Sequence, residues 1–250
     1  MRPLQTDLSI FRRFNFENPP VGVTYLENLP PGIEKLNKSL AICEILREAQ
    51  KSETAFFISK ENENCVGKKM VGMDGQSGTS SLGSGQIGVE FGVFQDTRAN
   101  LRLYPYLPRI NRDINYIAFA PLDKITLEPD LLMLMGTVSQ AEIVLRAMSY
   151  STGEKWSSQM TGVAGCSWIF AYPYLSGKVN YIVTGMGFGM KAKQVFPEGR
   201  MLISIPYDWI PTITQNLKEM QWVLPSYIDG REKFLEREQQ VFKRSFKEKI

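Results

Sequence analysis

The sequence predicts a mixed α/β fold made of two similar, pseudo-symmetric halves around a shared cleft, followed by a C-terminal helix. Three observations carry this expectation. Short apolar runs rich in β-branched and aromatic residues alternate with stretches whose apolar residues recur at helical spacing. The same order of elements occurs twice, with two local matches between the copies. From Asp229 onward the pattern changes to a strongly charged amphipathic segment.

Size and composition set the outer bounds. The 250 residues are enough for one large domain or two small ones. With 43% hydrophobic and 22% charged residues, the chain has the make-up of a folded globular protein. A net charge of +3 is too small to imply nucleic-acid binding, and no such partner is expected. The longest apolar run, around Leu131 to Met135, is far shorter than the roughly 20 residues a membrane-crossing helix needs, so no membrane partner is expected either. The first residues show no apolar core followed by a cleavage site. Together with three cysteines widely separated in sequence, this points to a reducing, cytoplasmic setting.

The elements follow in order. Residues 1–18 are a lead-in carrying Phe11, Phe14 and Phe16. Pro19-Pro-Val-Gly-Val-Thr-Tyr-Leu26 reads as a strand opened by prolines, and Pro30-Pro-Gly32 as a turn. Ser39 is placed to cap a helix over 40–50, where Ile42, Ile45, Leu46 and Ala49 share one face. Residues 54–59 and 116–120 read as strands, separated by a stretch rich in glycine and serine at 72–92. A strand at 129–135, a helix at 140–150 capped by Ser139, and strands at 156–161 and 181–183 complete the second set. In the tail, Phe234, Leu235, Val241, Phe242 and Phe246 mark one helix face. That face suits either docking on the chain's own core or a homo-oligomer contact.

Two matches suggest a tandem repeat over 19–125 and 128–212 within a single α/β domain at 19–215, leaving 216–250 as a helical tail. Ile45-Leu-Arg-Glu-Ala49 lines up with Val144-Leu-Arg-Ala-Met148, and a cysteine follows each at a similar distance. Ala118-Phe-Ala-Pro-Leu-Asp-Lys-Ile125 lines up with Ile203-Ser-Ile-Pro-Tyr-Asp-Trp-Ile210. Asp123 and Asp208 in this second pair are placed to cap the helices after them.

The chemistry is narrowed by an absence. There is no histidine, which removes the commonest general base and the commonest metal ligand. Cys43, Cys65 and Cys166 are then the only soft ligands and the only strong nucleophiles. Three thiolates can hold three corners of a cubane iron–sulfur cluster and leave the fourth iron open. Packing as small apolar groups is the other use of such residues, and Cys43, beside Ile42 on a helix, suits it best. A lone catalytic thiol lacks a histidine to activate it.

Two glycine-rich segments can present backbone amides to an anion. The first, 72–88, is flanked by Lys68 and Lys69 and does not end in the Gly-Lys-Ser/Thr of a phosphate loop. The second, Thr184-Gly-Met-Gly-Phe-Gly-Met-Lys191, follows a strand and places Gly185, Gly187 and Lys191 at a turn.

Taken in order, Pro19-Pro-Val-Gly-Val, the helix around Cys43, the turn at Cys65, Pro129-Asp130, Gln140-Ala141, Cys166 with Tyr172-Pro173, Gly185 to Lys191 and Ile205-Pro206 resemble the "domain of unknown function 169" family of archaea and anaerobic bacteria. The resemblance covers roughly 19–215. It implies that the three cysteines stand at family positions, and it implies no reaction. Where relatives are expected to carry Cys and Arg in the glycine-rich turn, this chain has Gly185-Met186-Gly187 and Lys191.

Two functions are expected from these residues. One is an iron–sulfur protein of an anaerobe, with Cys43, Cys65 and Cys166 on a [4Fe–4S] cluster that acts on or senses a small anionic ligand, or does redox work. The ligand would sit near Lys68, Lys69, Gly185, Gly187 and Lys191. The other is a metal-free binding module that holds a small anion on its glycine-rich loops. No catalytic residue is assigned.

Overall fold

Seven strands form one mixed sheet in the order β2-β3-β4-β1-β5-β7-β6. They are β1 (Val21–Leu26), β2 (Glu34–Lys35), β3 (Phe56–Ser59), β4 (Tyr116–Pro121), β5 (Leu131–Gly136), β6 (Asn180–Val183) and β7 (Met201–Pro206). Every pair is antiparallel except β2–β3. The computed structural model describes residues 2–73 and 84–247, with side chains to 244. Most of the glycine-rich stretch expected to face an anion, 74–83, therefore lies outside the described residues, as does the Phe246 side chain.

The strands alternate between two cores. Val21, Val23 and Tyr25 of β1, Ile117 and Phe119 of β4, and Leu131, Met133 and Met135 of β5 face the first core. Leu132 and Leu134 of β5 and Ile203 and Ile205 of β7 face the second. This is the period-two alternation of a sheet covered on both faces. Helix α1 (Ile42–Lys51) buries Ile42, Cys43, Ile45, Leu46 and Ala49 in the first core. Helices α2 (Val138–Tyr150) and α3 (Ile210–Glu219) cover the second face over β5 and β7. The lead-in is a 3-10 helix, Ser9–Phe14, that buries Ile10, Phe11 and Phe14 in that same layer.

Outward from the central β1–β5 pair, each half runs through three strands: β1-β4-β3 on one side and β5-β7-β6 on the other. The halves place their first helices on opposite faces, α1 in the first core and α2 in the second. Cys65 follows β3, whereas Cys166 precedes β6.

Local differences from the expected elements have physical reasons. Helix α1 starts at Ile42 rather than after Ser39, because the cap is made by carboxylates: Glu44 accepts the Ala41 N–H at 2.8 Å, and Glu63 accepts the Ile42 N–H at 2.9 Å. Helix α2 is capped by Thr137, not Ser139, with Gln140 reaching back to the Thr137 N–H at 2.8 Å in a capping box. Residues 156–161 form no strand. The Asn180 side chain accepts the Gln159 N–H at 2.8 Å and donates to the Gln159 carbonyl at 3.0 Å, replacing a ladder with one amide. Asp123 pairs with Arg12 at 2.6 Å instead of capping a helix.

The tail forms helix α4 (Pro225–Lys247), kinked at Gly230. Its approach is anchored: Arg146 donates to the carbonyls of Gln221 and Trp222 at 2.7 and 2.6 Å, and Trp222 packs at a tilt against Phe14 with ring centroids 4.4 Å apart. Beyond Gly230 the helix leaves the body. Phe234, Val241 and Phe242 are 45%, 61% and 58% exposed, so this stretch is not docked on the chain's own core. Arg146→Ala removes two hydrogen bonds to carbonyls and an ion pair with Glu142. It is expected to destabilise by about 2 kcal/mol and to raise proteolytic cleavage between 221 and 230, read by limited chymotrypsin digestion at Trp222 and Tyr227.

Candidate functional site: a three-thiol corner under helix α1

The three cysteines come from three different local structures and end in one corner of the first core. Cys43 lies in the first turn of α1 and is buried. Cys65 lies in the turn between β3 and the short helix Gly67–Met70 and is half-buried. Cys166 precedes the π-helical turn Ser167–Ala171 and is half-buried as well. Cys65 and Cys166 both pack against the core that contains Cys43. All three are free thiols.

Cys43 and Cys166 are held strongly as neutral thiols. Burial pushes the Cys43 thiol up to about 12, opposed by the Lys193 charge and reinforced by Cys65. Burial raises Cys166 further, and Cys43, Cys65 and Glu63 all add to it. A thiol whose charged form is penalised this way is a poor nucleophile, so neither residue is primed for covalent catalysis. Lys193 supplies the local cation, with its Nζ 3.9 Å from Cys65 Sγ.

Glu63 organises the corner. It is only 2% exposed, yet it accepts three backbone N–H groups: Ile42 at 2.9 Å, Cys65 at 3.1 Å and Lys68 at 3.0 Å. One carboxylate thus ties the start of α1 to the Cys65 turn. Burial raises its carboxyl to about 7 while the three donors pull it down. Asn62 fixes the turn before it, donating to the carbonyls of Leu36 and Lys38 at 2.6 and 2.9 Å. Gly67 leaves the space where the thiols meet. A Cβ there would stand 2.8 Å from Ile42 Cγ2, 3.1 Å from Glu63 Oε1 and 3.6 Å from Cys166 Sγ.

A cleft of about 670 Å³ adjoins Cys65 through Lys193. Glu44, Arg47, Glu48 and Lys51 of α1 line one side, and Lys191, Lys193 and Glu198 line the other. Of the ligand residues expected from sequence, Lys191 reaches this cleft, where it pairs with Glu198 at 3.1 Å. Gly185, at φ +92°, packs against Glu198, and Gly187 starts the helix Phe188–Ala192. Lys68 and Lys69 sit on the helix after Cys65 and do not line the cleft. Glu63, Lys193 and Arg47 were not legible as site residues.

The donor set is soft and suits iron–sulfur or other thiophilic metals. Among the described residues, no group of three or more His, Cys, Asp or Glu side chains is arranged to hold a metal ion. No helix among them is long and apolar enough to cross a membrane.

Comparison with known proteins agrees with the fold-wide resemblance. A model of the uncharacterised ArCR family, domain of unknown function 169, matches residues 10–216. The uncharacterised protein MJ0308 of Methanocaldococcus jannaschii is 21% identical over 198 residues, covering 79% of this chain and 84% of that protein. No solved structure matches the chain. The thiol corner, the first core and the seven strands fall inside the matched span, and the chain belongs to the domain of unknown function 169 family.

Proposed function

We propose that Cys43, Cys65 and Cys166 together ligate a [4Fe–4S] cluster with one iron open, and that a small anion is bound or sensed beside it. The observation that carries this reading is that three free thiols far apart in sequence pack against one core, with Cys166 Sγ beside Gly67 of the turn that carries Cys65. A cubane cluster takes thiolates set wider apart than a single metal ion does, so the lack of a tight three-residue chelate is compatible with it. When bound, such a cluster supplies electron transfer or a Lewis-acidic iron. The chain's own part is to bury the thiols under α1, to hold the Cys65 turn through Glu63, and to set the Lys193 ammonium beside Cys65. An anion entering the cleft meets Lys51 and Lys193, neither of which has an acidic partner among the described residues. With its thiols free, we place the protein in the reducing cytoplasm of an anaerobe.

Anaerobic reconstitution followed by iron and sulfide analysis tests this directly. About four irons and four sulfides per chain, with absorption near 400 nm, are expected. Cys65→Ala and Cys166→Ala are each expected to lose most of the iron while keeping the wild-type far-ultraviolet circular dichroism. A colourless, iron-free protein after reconstitution overturns the reading.

The cleft itself favours a second reading, a metal-free module that holds an anion between α1 and residues 191–198. In that case phosphate binding survives Cys43→Ala, Cys65→Ala and Cys166→Ala and is lost in Lys193→Glu.

We also assign the exposed face of α4 to a contact with a second copy, because Ile228, Phe234 and Phe242 present large apolar surface to solvent. Light scattering is expected to give a dimer mass for the wild type and a monomer mass for Phe234→Glu with Phe242→Glu. A monomeric wild type overturns this assignment.

A further inference from the structure

We propose that the free arm of α4 pairs with the same arm of a second copy in antiparallel order, with Arg231 of each copy set against Glu238 of the other. This rests on the assignment of that face to a second copy and adds the direction of the contact and the charges that select it.

Beyond the kink at Gly230 the arm runs as one helix over residues 231–247, about 25 Å long at the usual rise. Helical spacing divides its residues cleanly. At about 100° per residue, Arg231, Phe234, Leu235, Glu238, Val241 and Phe242 fall in one stripe about 120° wide. The other residues from 232 to 244 are all charged or glutamine. Four members of the stripe are large and apolar. The other two, Arg231 and Glu238, stand on its centre line.

A charge in the middle of an apolar stripe opposes burial of that stripe unless it meets an opposite charge there. Neither residue meets one within its own helix. The positions three and four residues from Glu238 are Phe234, Leu235, Val241 and Phe242. Those around Arg231 are Tyr227, Ile228, Phe234 and Leu235. Side chains at these spacings are the neighbours on a helix surface. Arg231 and Glu238 are themselves seven residues apart, about 10 Å along the axis, which is too far to pair with each other. Both are exposed, and neither has an ion-pair partner among the described residues. Arg237, on the polar side, differs: it pairs with Asp229 at 3.0 Å.

A second copy supplies both missing partners in one orientation only. With the helices antiparallel and the two-fold axis crossing between Phe234 and Leu235, Arg231 meets Glu238 twice. Phe234 and Leu235 of both copies then pack between the two ion pairs. With the helices parallel and in register, Arg231 faces Arg231 and Glu238 faces Glu238. Charged residues in a helix seam set partner orientation through this kind of penalty. The contact is isologous and closes on itself as a dimer.

Sedimentation equilibrium of the full chain tests the proposal. The wild type is expected to dimerise reversibly. Arg231→Glu and Glu238→Arg each turn both ion pairs into repulsions, and each is expected to weaken the dimer about tenfold. Combining Arg231→Glu with Glu238→Arg exchanges the charges and is expected to restore the wild-type affinity to within about twofold. Both positions lie on the exposed arm, and unchanged far-ultraviolet circular dichroism and melting certify the fold of each variant. A monomeric wild type overturns the assignment of the face together with the proposal. A dimer dissolved by Phe234→Glu with Phe242→Glu but weakened by neither charge reversal keeps the assignment and overturns the antiparallel pairing. Failure of the exchanged variant to recover overturns the pairing as well. A dimer indifferent to every one of these substitutions places the contact elsewhere and overturns both.

Discussion

Replacing Glu63 with alanine is expected to destabilise the protein by about 4 kcal/mol and to dismantle the thiol corner. Three N–H groups, one buried and two half-buried, lose this acceptor at once: the first of α1, that of Cys65 and that of Lys68. A hydrogen bond to a charged group contributes about 1.5–3 kcal/mol, and each stranded donor carries its own desolvation penalty. The total falls below the sum because the Cys65 turn can open towards water, which is the same movement that separates Cys65 from Cys43. Glu63→Gln is expected to cost about half as much, since an amide offers one acceptor oxygen where the carboxylate uses two. Urea denaturation of the three proteins checks the ranking, and a loss under about 1 kcal/mol for Glu63→Ala would contradict it. Under the proposed function, Glu63→Ala also fails to retain iron although every cysteine is intact.

Gly72→Ala is expected to be nearly as damaging, at about 3 kcal/mol. Gly72 has φ +80°, and a Cβ would lie 2.5 Å from the Arg112 carbonyl oxygen and 3.0 Å from Ile114 Cγ1. The carbonyl is backbone and cannot swing aside. The Gly72 carbonyl accepts the Ile114 N–H at 2.9 Å, and the Met70 carbonyl accepts the Ile110 N–H at 3.0 Å. The segment after Cys65 is thereby zipped to the approach of β4, and the substitution pries that zipper apart. Gly153→Ala is the comparison: it shares the left-handed φ, at +67°, but nothing lies within 4 Å of its Cβ. Only the conformational penalty of about 1 kcal/mol applies there. Equal losses at the two positions, measured by thermal melting, would show that the Arg112 contact is not what matters.

The strands were the most legible part of the chain. β1, β3, β4, β5 and β6 are apolar runs bounded by proline or polar turns, and each lies within a residue or two of its expected place. Helix starts were less so, because α1 is capped by Glu63, twenty-one residues downstream of the N–H it receives. No local pattern announces such a cap. The same residue shows why half the site was missed. Within Glu61-Asn-Glu-Asn64, one carboxylate is exposed and pairs with Lys35 while its neighbour but one turns inward, and the letters do not distinguish them. Lys191 and Lys193 repeat the lesson: two residues apart, one is held by Glu198 and the other faces Cys65. The three cysteines were legible as the only soft ligands. Their convergence was not, because it depends on a turn after β3 and a π-helical turn before β6 meeting across the sheet.

The central seam of the sheet sets how this protein answers mechanical and chemical stress. β1 and β5 share three residue pairs, against six for β1–β4 and six for β5–β7. Past Val23 the Tyr25 N–H is taken by the Asp130 carboxylate, at 2.7 Å, instead of a strand. The backbone ladder narrows to half its flanking width where the halves join, so side-chain packing in the first core is what keeps them in register. Cys43 and Cys65 belong to one half and Cys166 to the other. Any agent that bridges these thiols becomes a clasp across the narrow central seam of the sheet. Amide exchange along β1 and β5 is then the readout most sensitive to whether that clasp is fastened.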